Sequence, residues 1–452
     1  MMRGSAISTL FLLNPTLKAQ SAKPTDEEET LAKVLFYFPE SAPGYEITGN
    51  VGLAEGLMMF VKQFTETPLQ SCSTERCTHM VKRFEESVWL YVVIQHPPQG
   101  EGLVKAQDLY CTEEVMNRVM DGFYQGFYLF HGALEKYSSV EERERLKGLL
   151  SDYNSTFMLE FANEEEFFPG FYYCPMDRKA FLMVQFQVNQ ILTERREVKH
   201  IMILYEGYYV SSSLPHAHSS LLYRYLAKER NWRRIATLNR GYDPTKCLYG
   251  RVKGYPERGF LYGLAADGEV FAPLIQFPFD PEGTAYRLAV WAEDSTQYVL
   301  LLDPDAGEYR DYDSRYFREL GDRLQLQVAL IQASVTKQVS QASALESPYR
   351  FFYFNNMNFA IKRGGRIADF DQDLLHVVRS VSAQFCASGD SADTMVKSVV
   401  KVAGGWVCCL NSMSSRQVYL LVPGTQTVQK VEEELGRFVQ DTLQNIFLGV
   451  KY

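Results

Sequence analysis

One order of elements recurs three times along this chain and constrains its fold more than any single motif. The order is a short strand or hairpin, an amphipathic helix, several strands, then a long helix. In the first copy, Ile7 to Leu13 and Lys33 to Phe38 read as paired strands separated by a polar, acidic loop, followed by a helix from Val51 to Phe64. Strands Met80 to Phe84 and Val88 to Gln95 come next; the second is an almost unbroken apolar run closed by Pro97-Pro98, as suits a central strand buried on both faces. Helices over 112–137 and 141–162 complete the unit. Thr112-Glu113-Glu114-Val115 and Ser139-Val140-Glu141-Glu142 each set a hydroxyl ahead of carboxylates, the chemistry of a helix start.

The second copy begins after Pro169-Gly170 or after Pro175, where turn residues end an acidic stretch. Strands His200 to Tyr205 and Tyr208 to Ser212 are joined by Glu206-Gly207, a two-residue hairpin loop. A helix from His218 to Arg230 follows, then strands Val270 to Phe277, Tyr286 to Trp291 and Gln297 to Leu302, and a long helix over 308–340. The third copy starts at Tyr349, after a Ser-Ala-rich stretch, with Arg350 to Phe354 and Asn358 to Lys362 as a hairpin turned by Asn355-Asn356. Asp371 to Cys386 reads as helix, strands fall near 394–401, 406–410 and 417–422, and Thr427 to Leu448 is the closing helix. In it Val428, Val431, Leu435, Val439, Leu443 and Ile446 recur at helical spacing. The fold class is therefore α+β, with mostly hairpin-linked strands in each unit.

Composition agrees. The 452 residues allow about three domains of ordinary size, and 46% apolar with 13% aromatic residues is enough to build their cores. A net charge of -9 without a basic stripe gives no footprint for nucleic acid. The acidic runs Asp26 to Glu29, Glu164 to Glu166 and Glu432 to Glu434 read as solvated faces or linkers. Eight cysteines, at 72, 77, 111, 174, 247, 386, 408 and 409, are too sparse for a disulfide scaffold and read as reduced thiols. No run of about 18 apolar residues is present. Arg3 followed by Ile7 to Leu13 imitates a signal peptide, but the run is short and ends at Asn14-Pro15, so a buried first strand accounts for it better. The sequon Asn154-Ser155-Thr156 is read as chance.

Catalytic signatures are missing. There is no phosphate-cradling G-x-x-x-x-G-K-[ST], no G-x-S-x-G and no H-E-x-x-H, and no cofactor is implied. Cys72, Cys77 and nearby His79 suggest a zinc site only weakly, since a structural zinc usually takes four ligands and the second pair is missing. His216 and His218, after Pro215, read as a capping turn, and Cys408-Cys409 as small, half-buried strand residues facing opposite sides.

The first helix is unusual. From Asn50 to Phe64 its only charges are Glu55 and Lys62, seven apart, which leaves one thin polar stripe. A helix that covers only its own sheet needs about 100° of apolar surface, and this one has more. Gly52 and Gly56 lie four apart, where missing side chains let another element approach closely. Two readings stand: a helix wedged inside its own domain, or a subunit interface in which Leu57, Met58, Met59 and Phe60 divide between the sheet and a partner.

Five strings, in order over nearly the whole chain, resemble the Ccz subunit family of the Mon-Ccz complexes: Lys33 to Pro39, Asn50 to Leu53, Val88 to Val93, Phe352 to Asn358, and Gln444 to Phe447. The resemblance implies three longin domains, each a mostly antiparallel sheet flanked by helices, over 1–165, 166–345 and 346–452. It implies a non-enzymatic subunit that, with a Mon-type longin partner, drives GDP release from the Rab GTPase of the Rab-seven class, and so endosome maturation and fusion. A larger regulatory subunit in animals is a further implied partner. The implied location is the cytoplasm, with peripheral recruitment to late endosomal, lysosomal or vacuolar membranes. Carried over by position, Asn50, Val51, Gly52 and Gly56 fall in the interface helix, Phe36 and Phe38 in the strand before it, and Trp89 in the central sheet; none is implied to be catalytic. The alternative reading is a longin scaffold or tether without exchange activity.

Overall fold

The computed structural model describes residues 7–19, 21–96, 113–137, 139–161, 170–226, 258–264, 270–278, 280, 282–293, 296–305, 312–344, 350–364, 378, 381, 396–402, 404–412, 416–424 and 427–443. The chain divides into two compact units, Met1–Phe167 and Phe168–Tyr452.

The first unit runs β1 (Ile7–Leu13), α1 (Asp26–Ala32), β2 (Val34–Phe38), α2 (Gly44–Lys62), β3 (Ser71–Ser73), β4 (Cys77–Arg83), β5 (Trp89–Gln95), α3 (Glu113–His131), a 3-10 turn (Leu134–Lys136) and α4 (Val140–Phe161). Its antiparallel sheet has the order β2-β1-β5-β4-β3, so the two most apolar runs, β1 and β5, are neighbours inside it. Alternation splits each between two faces. Phe11 and Leu13 of β1 join Tyr37, Val81, Tyr91 and Val93 beneath Val51 and Ala54 of α2, while α3 and α4 touch β4 and β2.

Two expectations are corrected here. The acidic loop between the first strands contains α1, whose Asp26 to Glu29 form a first turn where the helix dipole favours carboxylates. Thr25 and Glu28 close a capping box, with Glu28 N donating to Thr25 Oγ1 at 3.2 Å and Thr25 N to Glu28 Oε2 at 2.9 Å. The next helix starts at Gly44 rather than Val51: Pro43 at the N-cap has no N–H to leave unpaired, and its carbonyl accepts from Glu46 N at 3.0 Å and Ile47 N at 3.2 Å. At α4 the expected start holds: Ser139 N donates to Glu142 Oε2 and Glu142 N to Ser139 Oγ. Thr112 lies outside the described residues.

Among the described residues the second unit holds two sheets. Its elements are β6 (Phe171–Tyr172), α5 (Arg178–Glu194), β7 (Val198–Tyr205), β8 (Tyr208–Ser212), α6 (His216–Leu226), β9 (Arg258–Leu264), β10 (Val270–Phe271), β11 (Leu274–Gln276), β12 (Ala285–Glu293), β13 (Thr296–Leu302), α7 (Ser314–Ala344), β14 (Arg350–Asn355), β15 (Ala360–Gly364), β16 (Val396–Val402), β17 (Gly405–Ser412), β18 (Arg416–Pro423) and α8 (Val428–Leu443). The first of the two sheets runs β10-β9-β12-β13-β7-β8, with β11 on β12. Glu206 and Gly207 turn its hairpin with φ of 49° and 78°, the left-handed pair that a two-residue loop requires. The strand expected over Val270 to Phe277 is two short strands that pair with different neighbours, β10 with β9 and β11 with β12; they part at Pro273, which has no N–H to give a ladder. Helix α5, capped by Asp177, fills a stretch for which the sequence predicts no element.

The last sheet runs β16-β17-β18-β14-β15-β6. On α8, Val431, Leu435, Phe438 and Val439 pack against it, whereas Val428, expected in the same stripe, is exposed in the first turn. Ile446 and most of the helix expected over Asp371 to Cys386 lie outside the described residues. Cys408 and Cys409 do face opposite sides, but both are fully rather than half buried. The last strand in the order, β6, comes from ahead of α5, within the stretch expected to open the second domain, and pairs in parallel with β15.

Candidate docking face on the first unit

Helix α2 seats Val51 and Ala54 in the core and turns a broad apolar surface outward. Tyr45 is 78% exposed, Leu53 47%, Met59 70%, Phe60 59% and Phe64, just past the helix end, 73%. Scattered apolar residues are ordinary on a protein surface; five large ones along one helix are not. Phe60 and Phe64 rest on each other with ring centroids 5.0 Å apart. Between them and Tyr45 run Gly49, Gly52 and Gly56, and a Cβ built on any of the three meets nothing within 4 Å. The glycines thus form an open channel on the outside of the helix, at a cost of about 1 kcal/mol each in helix propensity.

Charge is confined to the margin. Glu55 is held by Lys33, Nζ to Oε1 at 2.8 Å, so the one acidic side chain in the middle of the helix is neutralised beside the face. Asn50 points inward and donates from Nδ2 to Tyr37 Oη at 2.7 Å. Burial raises the Tyr37 pKa, tempered by that hydrogen bond.

The predicted residues therefore divide. Gly52, Gly56, Met59 and Phe60 lie together on the outward face. Val51 and Phe36 are buried in the core, and Phe38, Asn50 and Trp89 are half-buried, Trp89 beneath the Arg83 guanidinium at 5.7 Å. Tyr45, Gly49 and Phe64 join the face without having been singled out. Tyr45 and Gly49 continue the three- and four-residue spacing of Gly52 and Gly56 once the helix begins at Gly44.

Of the other candidates, His216 and His218 sit in the first turn of α6, where the His218 ring stacks on Phe277 at 4.4 Å. Cys72, Cys77 and His79 come together on β3 and β4, but among the described residues no group of three His, Cys, Asp or Glu side chains could hold a metal ion. Among the described residues no helix is long and apolar enough to cross a membrane.

A family model described as the first longin domain of INTU, CCZ1 and HPS4 matches residues 11–132, which span β1 to the end of α3. Over nearly its whole length the chain is similar to proteins named vacuolar fusion protein CCZ1 homolog. The one from Xenopus tropicalis is 24% identical, covering 98% of this chain and 97% of its own. That from Nematostella vectensis is 24% identical, covering 93% and 94%, and that from Dictyostelium discoideum 20% identical, covering 81% and 82%.

Proposed function

We propose that this longin-domain chain, a relative of the CCZ1 homologues along nearly its full length, is one half of a two-subunit exchange factor for a Rab GTPase of the Rab-seven class. The observation that carries this reading is the outward face of α2. Full burial of a large apolar side chain is worth about 1.5–3 kcal/mol, while association costs on the order of 4–15 kcal/mol in lost freedom. Five half- to mostly exposed side chains around a glycine channel offset much of that cost, provided that the partner brings a complementary helix or strand. A Mon-type longin subunit is such a partner.

On this reading the chain supplies surface rather than bond-making chemistry. The pair accelerates GDP release by differential binding: it holds the open, nucleotide-free Rab more tightly than the closed, GDP-bound form, and the barrier to release falls by that difference. Docking of the complex on late endosomal or vacuolar membranes is then peripheral. The name of these relatives, which speaks of vacuolar fusion, supports the same setting.

The test is release of a fluorescent GDP analogue from the Rab in the presence of both subunits, set against each subunit alone. Acceleration is expected from the pair only. A stable pair that leaves the release rate unchanged would overturn exchange activity and leave a longin scaffold.

A further inference from the structure

Five cysteines lie among the described residues, and their surroundings differ. Cys174, Cys408 and Cys409 are buried; burial pushes the Cys174 and Cys408 thiols up to about 12 and the Cys409 thiol upward as well, which keeps all three protonated at neutral pH. Cys72 and Cys77 are partly exposed; Cys72 stands opposite His79 in the β3–β4 register, and Cys77 lies at the turn end of β4. Among the described cysteines, Cys77 is the one whose sulfur lies within hydrogen-bond distance of an imidazole, 3.2 Å from His79 Nε2. The other ring nitrogen, Nδ1, is 2.9 Å from Tyr91 Oη.

The strand geometry builds this row. Residues 77 and 79 share one face of β4, and the register with β5 sets Tyr91 opposite Val81, on the same face. Tyr91 is fixed in turn by stacking on Phe11 at 4.7 Å. Thr74 steadies the turn before Cys77: Cys77 N donates to Thr74 Oγ1 at 3.1 Å, and Thr74 Oγ1 donates to the Cys77 carbonyl at 2.9 Å. A nucleophile, a base and a group that orients the base are thus in line, the arrangement that activates a weak nucleophile.

We infer that Cys77 is a nucleophilic thiol, with His79 as its base and Tyr91 as the positioning residue for the imidazole, and that it is a site of reversible modification by small disulfides of the glutathione class. With His79 Nδ1–H donated to Tyr91 Oη, Nε2 is free to accept the Cys77 proton. The thiolate attacks one sulfur of the disulfide; the Cys77 S–S bond forms as the reagent's own S–S bond breaks, and the departing thiolate takes the proton from His79. One reagent sulfur ends in the mixed disulfide and the other is reduced to a thiol. Burial lowers the His79 pKa, which keeps the imidazole neutral and able to accept. Cys77 packs against the same core as Met58 of α2 and Leu69, so an adduct adds bulk where α2 is seated.

The test incubates the full chain with oxidised glutathione and follows the adduct at each cysteine by peptide mass spectrometry. Cys77 is expected to react about tenfold or more faster than Cys72, whose rate serves as the internal reference for a partly exposed thiol in the same hairpin. His79→Gln should remove most of that lead and Tyr91→Phe part of it, the lead being read as the ratio of the Cys77 rate to the Cys72 rate in each variant. Equal rates at Cys77 and Cys72 in the unmodified chain overturn the inference, as does a Cys77 lead that survives both substitutions. If His79→Gln accelerates both cysteines the hairpin has opened, and Tyr91→Phe decides.

Discussion

Gly52 and Gly56 stand one turn apart on α2, and an added Cβ at either would meet nothing within 4 Å among the described residues beyond the helix's own backbone. Nothing inside the unit therefore requires them to be glycine. Gly52→Ala and Gly56→Ala should each stabilise the isolated protein by about 0.5–1 kcal/mol, the helix propensity regained. The urea midpoint reads this; a fall in the midpoint would mean that the backbone is closely packed there after all.

Bulk in the same channel should do the opposite to partnership. Gly56→Trp is expected to leave the unfolding transition of the chain intact and to abolish co-purification with a Mon-type subunit. Normal recovery of the pair would remove α2 from the interface.

Phe60 tests the apolar character of the face rather than its shape. Phe60→Glu should change stability by no more than about 0.5 kcal/mol, as for an ordinary surface substitution, while weakening partner binding by tenfold or more, as truncation at an interface hot spot does. Titration calorimetry of the pair measures it.

Glu85 accepts three hydrogen bonds at once, from Tyr124 Oη at 2.8 Å, Leu134 N at 2.7 Å and Glu135 N at 2.8 Å, and so holds the 3-10 turn to the sheet. Glu85→Ala should cost about 1.5–3 kcal/mol by leaving those donors unpaired. A change below about 0.5 kcal/mol in chemical denaturation, the range of ordinary surface sites, would show that water replaces the carboxylate.

His131 gives the first unit an acid-sensitive element. Burial, then the nearby charges of Lys136 and Arg145, lowers its pKa to about 4. The unfolded chain, with an ordinary imidazole near 6.5, takes up a proton first as pH falls. Stability is therefore fully present above about 6.5 and declines toward 4, by up to about 3 kcal/mol. His131→Phe, which keeps the ring against Phe127 at 4.6 Å, should flatten this slope in melting curves recorded between pH 7 and 4.

What could be read in advance follows from how local each signal is. The runs of β1 and β5 are apolar on both faces because helices cover both sides of their sheet, and such runs stand out without knowledge of their partners. Glu206-Gly207 is legible because two successive left-handed residues have few chemical solutions. Helix α1 hid behind its own charge: four acidic residues look like a linker until Thr25 and Glu28, three apart, are seen as a cap. The start of α2 hid behind Gly44, Thr48 and Gly49, all weak helix formers, and Tyr45 and Gly49 were lost from the face with it. The resemblance pointed to α2 by position, yet could not tell which side of it looks out; Val51 is wholly buried while its neighbour Gly52 is exposed.

Strand β6 bears on how this protein can be made. Ribosomes deliver Phe171 and Tyr172 long before β15, whose Ala360 and Ile361 they flank, so this pairing forms only after the intervening sheet has been synthesised. A gene fragment beginning at residue 346 would encode β14 to β18 and α8 but leave the outer edge of β15 bare, an invitation to pair with another chain. Gly170, where a Cβ would come within 2.6 Å of the Phe359 carbonyl oxygen, adds a fixed stitch just ahead of that strand. The shortest recombinant product that carries the last sheet whole therefore begins before Gly170.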